Sequence, residues 1–157
     1  MALPVCMDPS QVIVRPALSC YLETGTQESE EALMEHEVIL TEAARGPVGP
    51  YSQAMKAGGM VFVSGQLPID LSGEMAEGIP AQTRMCLDNV KAILEAAACD
   101  MDRVVKCTVF ITNMDDFAEM NAAYAAYFPE NPPARACVEV SRLARGAAVE
   151  IEAIAMV

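Results

Sequence analysis

P-P-A-R-A-C-V-E-V at residues 132–140 and V-E-I-E-A-I-A-M-V at residues 149–157 close the chain. Both stretches alternate with a period of two, the spacing of side chains across a strand. In the first, Arg135, Cys137 and Glu139 alternate with Ala136, Val138 and Val140; in the second, Glu150 and Glu152 alternate with Val149, Ile151 and Ala153. The pattern predicts a closing hairpin, Ala134–Val140 followed by Ala147–Ala155. One of its faces is aliphatic, suited to lie under helices, and the other mixes charges with small apolar residues. A face of that mixed kind is not plainly solvated, which suggests contact with another subunit. Burying a lone guanidinium or carboxylate costs several kcal/mol or more, so Arg135 and Glu150 need a reason to be there. Alternation leaves two readings open. One is a cross-strand ion pair, worth about 0–1 kcal/mol if exposed. In the other, Arg135 is a fork for a planar carboxylate and Glu150 a base that positions water.

Upstream of this pair the pattern is mixed. E-V-I-L (37–40) reads as a short strand, and Gln53–Ala57, Gly58-Gly59, then M-V-F-V-S-G (60–65) read as a hairpin with a diglycine turn. A helix is expected from about Pro80 to Ala98, with Pro in its first turn and Leu87, Val90, Leu94 and Ala97 on one face. Asp102–Ile111 reads as a strand with Val105, Cys107, Val109 and Ile111 on a shared face. A second helix is expected over Asp115–Phe128, opened by an Asp116/Glu119 capping box and striped by Phe117, Met120, Tyr124 and Phe128. The order β-ββ-α-β-α-ββ predicts an α+β layer, two helices on one mostly antiparallel sheet.

A length of 157 residues suits one domain with a proper core. With 53% hydrophobic and 20% charged residues the chain is globular, and no apolar run reaches the roughly 18 residues of a membrane span. The net charge of −12 disfavours nucleic-acid backbones and anionic membranes as partners. Six cysteines (Cys6, Cys20, Cys86, Cys99, Cys107, Cys137) form no C-x-x-C, and His36 is the sole histidine, so no metal ligand set is expected. With no secretory signal in view, reduced thiols and a cytoplasmic location are expected. Residues 1–33 carry Pro4, Pro9 and Pro16 and then an acidic stretch without periodicity. They read as a flexible extension, with regular structure starting just after Met34.

Several polar residues admit bland structural roles. Asn121 sits at the edge of the second helix's apolar stripe and could bond a neighbouring element. Ser64 ends a strand before Gly65 and could serve a turn. Tyr51 follows G-P and could pack at that turn, and Cys137 could be a small buried hydrophobe. A Cys–His dyad is disfavoured by the distant His36.

Together these positions resemble the RidA (YjgF) family of reactive intermediate deaminases. The matching stretches are G-P-Y-S-Q (49–53), V-S-G-Q-L-P (63–68), L-D-N-V-K-A-I-L-E-A-A (87–97) and V-K-C-T-V-F-I (105–111). F-A-E-M-N-A-A-Y (117–124), P-A-R-A-C-V-E-V (133–140) and V-E-I-E-A-I-A (149–155) complete them. The match runs over about residues 37–156, so residues 34–157 are expected to be a RidA-like domain and residues 1–33 to have no counterpart. The resemblance implies a chorismate-mutase-like fold in a homotrimeric barrel with ligand clefts between subunits. It implies hydrolysis of 2-imino acids and enamines, such as 2-aminoacrylate, to 2-oxo acids and ammonium, with no metal or organic cofactor. Carried over by position, Arg135 would grip the substrate carboxylate and Glu150 would orient or deprotonate water. Tyr51 would help close the cleft and aid proton transfer. Ser64, Gly65 and Cys137 would line the site, and Asn121 would support its wall. The alternatives are a trimeric small-carboxylate binding or regulatory protein and a stress-activated chaperone, both without turnover.

Overall fold

The computed structural model describes residues 36–157. The extension expected over residues 1–33, with Cys6 and Cys20, and the start of regular structure expected near Met34 lie outside the described residues. The strands are β1 (His36–Ile39), β2 (Ala54–Ala57), β3 (Met60–Gln66), β4 (Val104–Ile111), β5 (Ala134–Glu139) and β6 (Val149–Met156). Helix α1 (Ile79–Ala96) follows β3, and helix α2 (Phe117–Ala125) follows β4. The α+β class and its element order agree with the sequence reading.

All six strands form one sheet in the order β1-β2-β3-β6-β4-β5. Four of the five pairings are antiparallel, and β4–β5 is parallel. The Gly58-Gly59 turn between β2 and β3 has both residues at positive φ, 56° and 75°, the left-handed pair that a tight two-residue hairpin needs. Helix α1 buries Cys86, Leu87, Val90, Ile93 and Leu94 against Val61, Val63, Ile151 and Ala153 of the sheet. Truncating Leu87, Ile93 or Leu94, each fully buried, to alanine costs roughly 2–5 kcal/mol.

The expected closing hairpin does not form. Strand β4 lies between β5 and β6, pairing Cys107 with Arg135 on one side and Ala153 on the other. The physical reason is the crossover: β4, α2 and β5 make a parallel unit, which needs a helix-length connection and sets β5 beside β4. The return from Val140 to Ala148 is also longer than a tight hairpin loop. It wraps the end of β4, with Val140 N–H donating to Ile111 O at 2.8 Å and Thr112 N–H to Ala148 O at 3.0 Å.

Three smaller expectations are corrected. A bulge between Val104 and Lys106 turns Val105 outward, so Val104 and not Val105 joins Cys107, Val109 and Ile111 on the buried face. Asp116 makes no capping bond; a short 3-10 turn precedes α2, and Asn113 accepts from Asp115 N–H instead. Met120, Tyr124 and Phe128 are buried as expected, whereas Phe117 stays partly exposed.

The two faces of the sheet differ. Val61, Val63, Cys107, Val109, Val149, Ile151, Ala153 and Ala155 lie buried under the helices. The opposite face carries Val38, Phe62 and Val138 at 57%, 40% and 42% exposure, beside Glu150 and Glu152. No helix among the described residues is long and apolar enough to cross a membrane. The four described cysteines are unbridged.

Candidate active site

On the open face, a cavity of about 430 Å³ is lined by Val48, Tyr51, Ser64, Gly65, Glu150 and Glu152, among others. The site begins with a break in the ladder. Strands β3 and β6 pair regularly to Val63, then slip before Gln66, so Ser64 and Gly65 leave the register. Such bulges re-aim side chains and recur beside functional sites. Ser64 is pinned there, its hydroxyl donating to Ser52 O at 2.7 Å and its N–H to Gln53 O at 3.0 Å. The Glu150 side chain lies over Gly65. A methyl group on Gly65 would sit 2.9 Å from the Glu150 Cδ, so any side chain there would push the carboxylate out of its present place.

Glu150 is half-buried, and its carboxyl is pushed above the ordinary glutamate range, first by burial and then by the Glu152 carboxylate. It is therefore a better proton acceptor than an exposed carboxylate. Tyr51 stands at the rim, 47% exposed, with its hydroxyl accepting from Val48 N–H at 3.3 Å. Its own N–H donates to Gly49 O at 2.9 Å, so the G-P-Y turn closes on its own ring.

A second cavity of about 350 Å³ opens at the other end of the sheet, lined by Asn121, Tyr124, Phe128, Pro132, Pro133 and Arg135. The Arg135 guanidinium lies 4.5 Å from the Tyr124 ring centre and 5.8 Å from that of Phe117. Its Nη2 donates to Asn121 Oδ1 at 2.6 Å. Phe117, Asn121 and Tyr124 recur at i, i+4 and i+7, one face of α2, so a single helix holds the guanidinium from three directions. No carboxylate lies within 4.0 Å of it among the described residues, where the only ion pair is Lys91–Glu95. Tyr124 packs on Phe128 at 4.8 Å between ring centres. Burial, with the neighbouring Cys107 thiol, pushes the Tyr124 hydroxyl far above the ordinary tyrosine range, so it stays neutral.

The sequence reading put Arg135 and Glu150 on one face, and this is corrected. Arg135 pairs with Cys107 on the helix side, and Glu150 pairs with Phe110 on the open side. Two strand spacings and a three-residue offset separate their Cα atoms by roughly 14 Å. A cross-strand ion pair is thereby excluded within one chain. Tyr51, Ser64, Gly65 and Glu150 form one wall, Asn121 and Arg135 another, and the chain does not join them. Cys137 follows Arg135 on the helix side of β5, half-buried against the core, and lines neither cavity. Burial pushes its thiol up, with Arg135 opposing, so it remains a neutral thiol.

Sequence reasoning missed Gln53. Its buried side chain accepts from Thr41 N–H at 2.7 Å and donates to the carbonyls of Thr41, Ala44 and Arg45. That amide ties down the loop leading to Tyr51. The available signal was a polar residue at a strand start between Tyr51 and the diglycine hairpin. Among the described residues no three His, Cys, Asp or Glu side chains converge as a metal-binding set.

Comparisons with known proteins place the chain in a family. The family model described as Endoribonuclease L-PSP matches residues 41–157. A RutC family protein of Pyrococcus horikoshii is 56% identical over 121 residues, covering 76% of this chain and 96% of the relative. The 2-iminobutanoate/2-iminopropanoate deaminase of Salmonella typhimurium is 49% identical, over 75% of this chain and 95% of that enzyme. The crystal structure of E. coli TdcF with bound serine superposes with a TM-score of 0.75 at 42% identity, covering 77% and 98% of the two chains. That of the E. coli YjgF gene product gives 0.74 at 45% identity, over 76% and 98%. In sequence, fold and the placement of its strands and helices, the chain belongs to the RidA/YjgF family.

Proposed function

We propose that the chain is a 2-imino acid deaminase, hydrolysing 2-iminopropanoate, 2-iminobutanoate and their enamines to 2-oxo acids and ammonium. The observation that carries this reading is Arg135, a guanidinium fixed by Asn121 and two aromatic rings with no carboxylate within 4.0 Å among the described residues. A fork so prepared loses little freedom when it takes a planar carboxylate.

The two walls become one site when copies associate. The open face exposes Val38, Phe62 and Val138, apolar surface that a second copy would cover. In the homotrimer implied by the family, Arg135 of one copy faces Glu150 of the next, and no ligand, metal or cofactor needs to supply chemistry. The substrate carboxylate sits on Arg135. Glu150 accepts a proton from water as its oxygen bonds to the imine carbon, and the C=N electron pair moves to nitrogen. Glu150 then passes that proton to the nitrogen, giving a neutral carbinolamine. It next takes the proton of the second oxygen–hydrogen bond and returns it to the amine, so that ammonia leaves and the 2-oxo acid remains with Glu150 ionised again. Tyr51 caps the cleft at its rim, and Ser64 and Gly65 give the Glu150 carboxylate its place. Holding water near an electrophilic carbon supplies orientation, and the carboxylate adds roughly 10²–10⁴-fold as general base.

The test generates 2-iminobutanoate enzymatically and follows its decay. Wild-type protein should accelerate decay, and Arg135→Ala should lose at least ~100-fold, the effect of removing a carboxylate's charged partner. Its particle mass should be unchanged, and its melting temperature should fall by no more than a few degrees for the lost packing. Wild-type rates in that variant would refute the assignment and favour a carboxylate-binding module without turnover.

A further inference from the structure

Beside the Glu150 cavity lies a smaller one of about 30 Å³, and the two share Val48, Tyr51, Gly65 and Leu67 as walls. What distinguishes the smaller cavity is that Arg45 and Arg145 both line it. The two residues lie 100 positions apart and approach one loop from different elements. Arg45 Nη1 reaches Leu71 O at 3.5 Å, and Arg145 Nη2 reaches Gly73 O at 3.5 Å. Both bonds are at the long limit for a charged donor. Neither arginine has a carboxylate within 4.0 Å among the described residues, although the chain carries 22 acidic residues against 10 basic ones.

The backbone is committed to this placement. Arg145 sits at φ 59°, ψ 13°, the left-handed region that non-glycine residues enter only at a cost. Such outliers point to function when the strained side chain faces a site. Arg45 is held from behind, because Gln53 bonds its carbonyl at 3.1 Å. Two cations therefore border a recess continuous with the cavity of the general base. At ~10–15 Å³ per water-sized group, the recess has room for the two oxygens of a carboxylate.

We infer that Arg45 and Arg145 form a second anion subsite that selects imines whose side chain ends in a carboxylate, the imino forms of dicarboxylic amino acids. This rests on the proposed deaminase reading, in which Arg135 takes the 1-carboxylate. The distal carboxylate then extends past Gly65 and Leu67 to the guanidinium pair, where bidentate bonds replace the two long carbonyl contacts. An imine with a short apolar side chain leaves the pair solvated and gains nothing from it.

Binding of the product analogues separates this inference from turnover. Calorimetry on the full chain would compare 2-oxoglutarate with 2-oxobutanoate, using wild type and the Arg45→Gln/Arg145→Gln double variant. Wild type should bind the dicarboxylate about tenfold more tightly, a typical gain for one charge-assisted contact. The double variant should lose that preference while its affinity for 2-oxobutanoate moves less than about twofold, and its melting temperature should stay within ~2 °C. The wild-type preference should shrink with added salt. Equal wild-type affinities, or a preference that survives the double substitution, would overturn the subsite. Imine decay measured alongside reports on the deaminase reading alone, since a protein that binds dicarboxylates preferentially without turnover keeps the subsite and loses the enzyme.

Discussion

The wall that carries Arg135 and the wall that carries Glu150 solve opposite problems. At the β5 edge, a charge is held firmly: α2 places two rings and an amide around the guanidinium, and the arginine stem covers apolar surface. At the β3–β6 bulge, a charge is given room: the ladder opens, Gly65 contributes no side chain, and the carboxylate settles into the vacated space. In the proposed reaction the first wall, held by contacts, would bind the substrate carboxylate, and the second, partly desolvated with a like charge nearby, would accept the proton. The walls face opposite sides of one sheet. A mechanism that needs both must therefore draw them from two copies.

The largest test breaks that division directly. Arg135→Ala and Glu150→Gln should each be inactive alone, yet a co-assembled mixture should regain activity. In a randomly mixed cyclic trimer about a quarter of the interfaces would hold both intact walls. No recovery above the separate variants, with mixed assembly verified by native mass measurement, would mean that the walls do not meet between copies.

An intermediate effect sharpens the Glu150 side. A carboxyl pushed above its ordinary range by burial and Glu152 is protonated sooner as pH falls. The acidic limb of kcat/KM should thus lie above the ordinary glutamate range, and shift downward in Glu152→Gln. For stability the sign is the reverse of a paired carboxylate. The raised folded value favours the protonated native state, so its contribution is present at low pH and lost as pH rises through it. Glu150→Gln should accordingly melt no lower than wild type at neutral pH, an outcome that scanning calorimetry can check.

The smallest effect concerns the Arg135 wall. Asn121→Ala removes one 2.6 Å bond but leaves both rings in place. KM for 2-iminobutanoate should rise about tenfold with kcat changed less, matching a charged hydrogen bond of about 1.5 kcal/mol. A fall in kcat alone would instead assign Asn121 to the chemical step.

Much of the fold was legible because its signals are local. The diglycine turn, the Leu87/Val90/Leu94 stripe and the alternation of β4 and β6 each arise within a few residues. The parallel insertion of β4 between β5 and β6 was not legible, since alternation says that a segment is a strand and not which strand lies beside it. The same gap misled the face assignment. Arg135 alternates in β5 as Glu150 does in β6, but register, not alternation, sets which side of the sheet each faces. Of the site residues expected from the sequence, Tyr51, Ser64, Gly65, Glu150, Asn121 and Arg135 line the two cavities and Cys137 lines neither. Gln53 was missed because an amide bonding three carbonyls of a distant loop leaves no periodic trace.

The sequence by itself determined the α+β class, the main elements and the family, because propensity, periodicity and short motifs are properties of neighbouring residues. Only the tertiary structure decided that Arg135 and Glu150 point to opposite sides, that the Glu150 carboxylate lies over Gly65, and that Arg45 and Arg145 meet at one recess. Those are statements about residues far apart in the chain. They depend on strand order, register and packing, which no local pattern encodes.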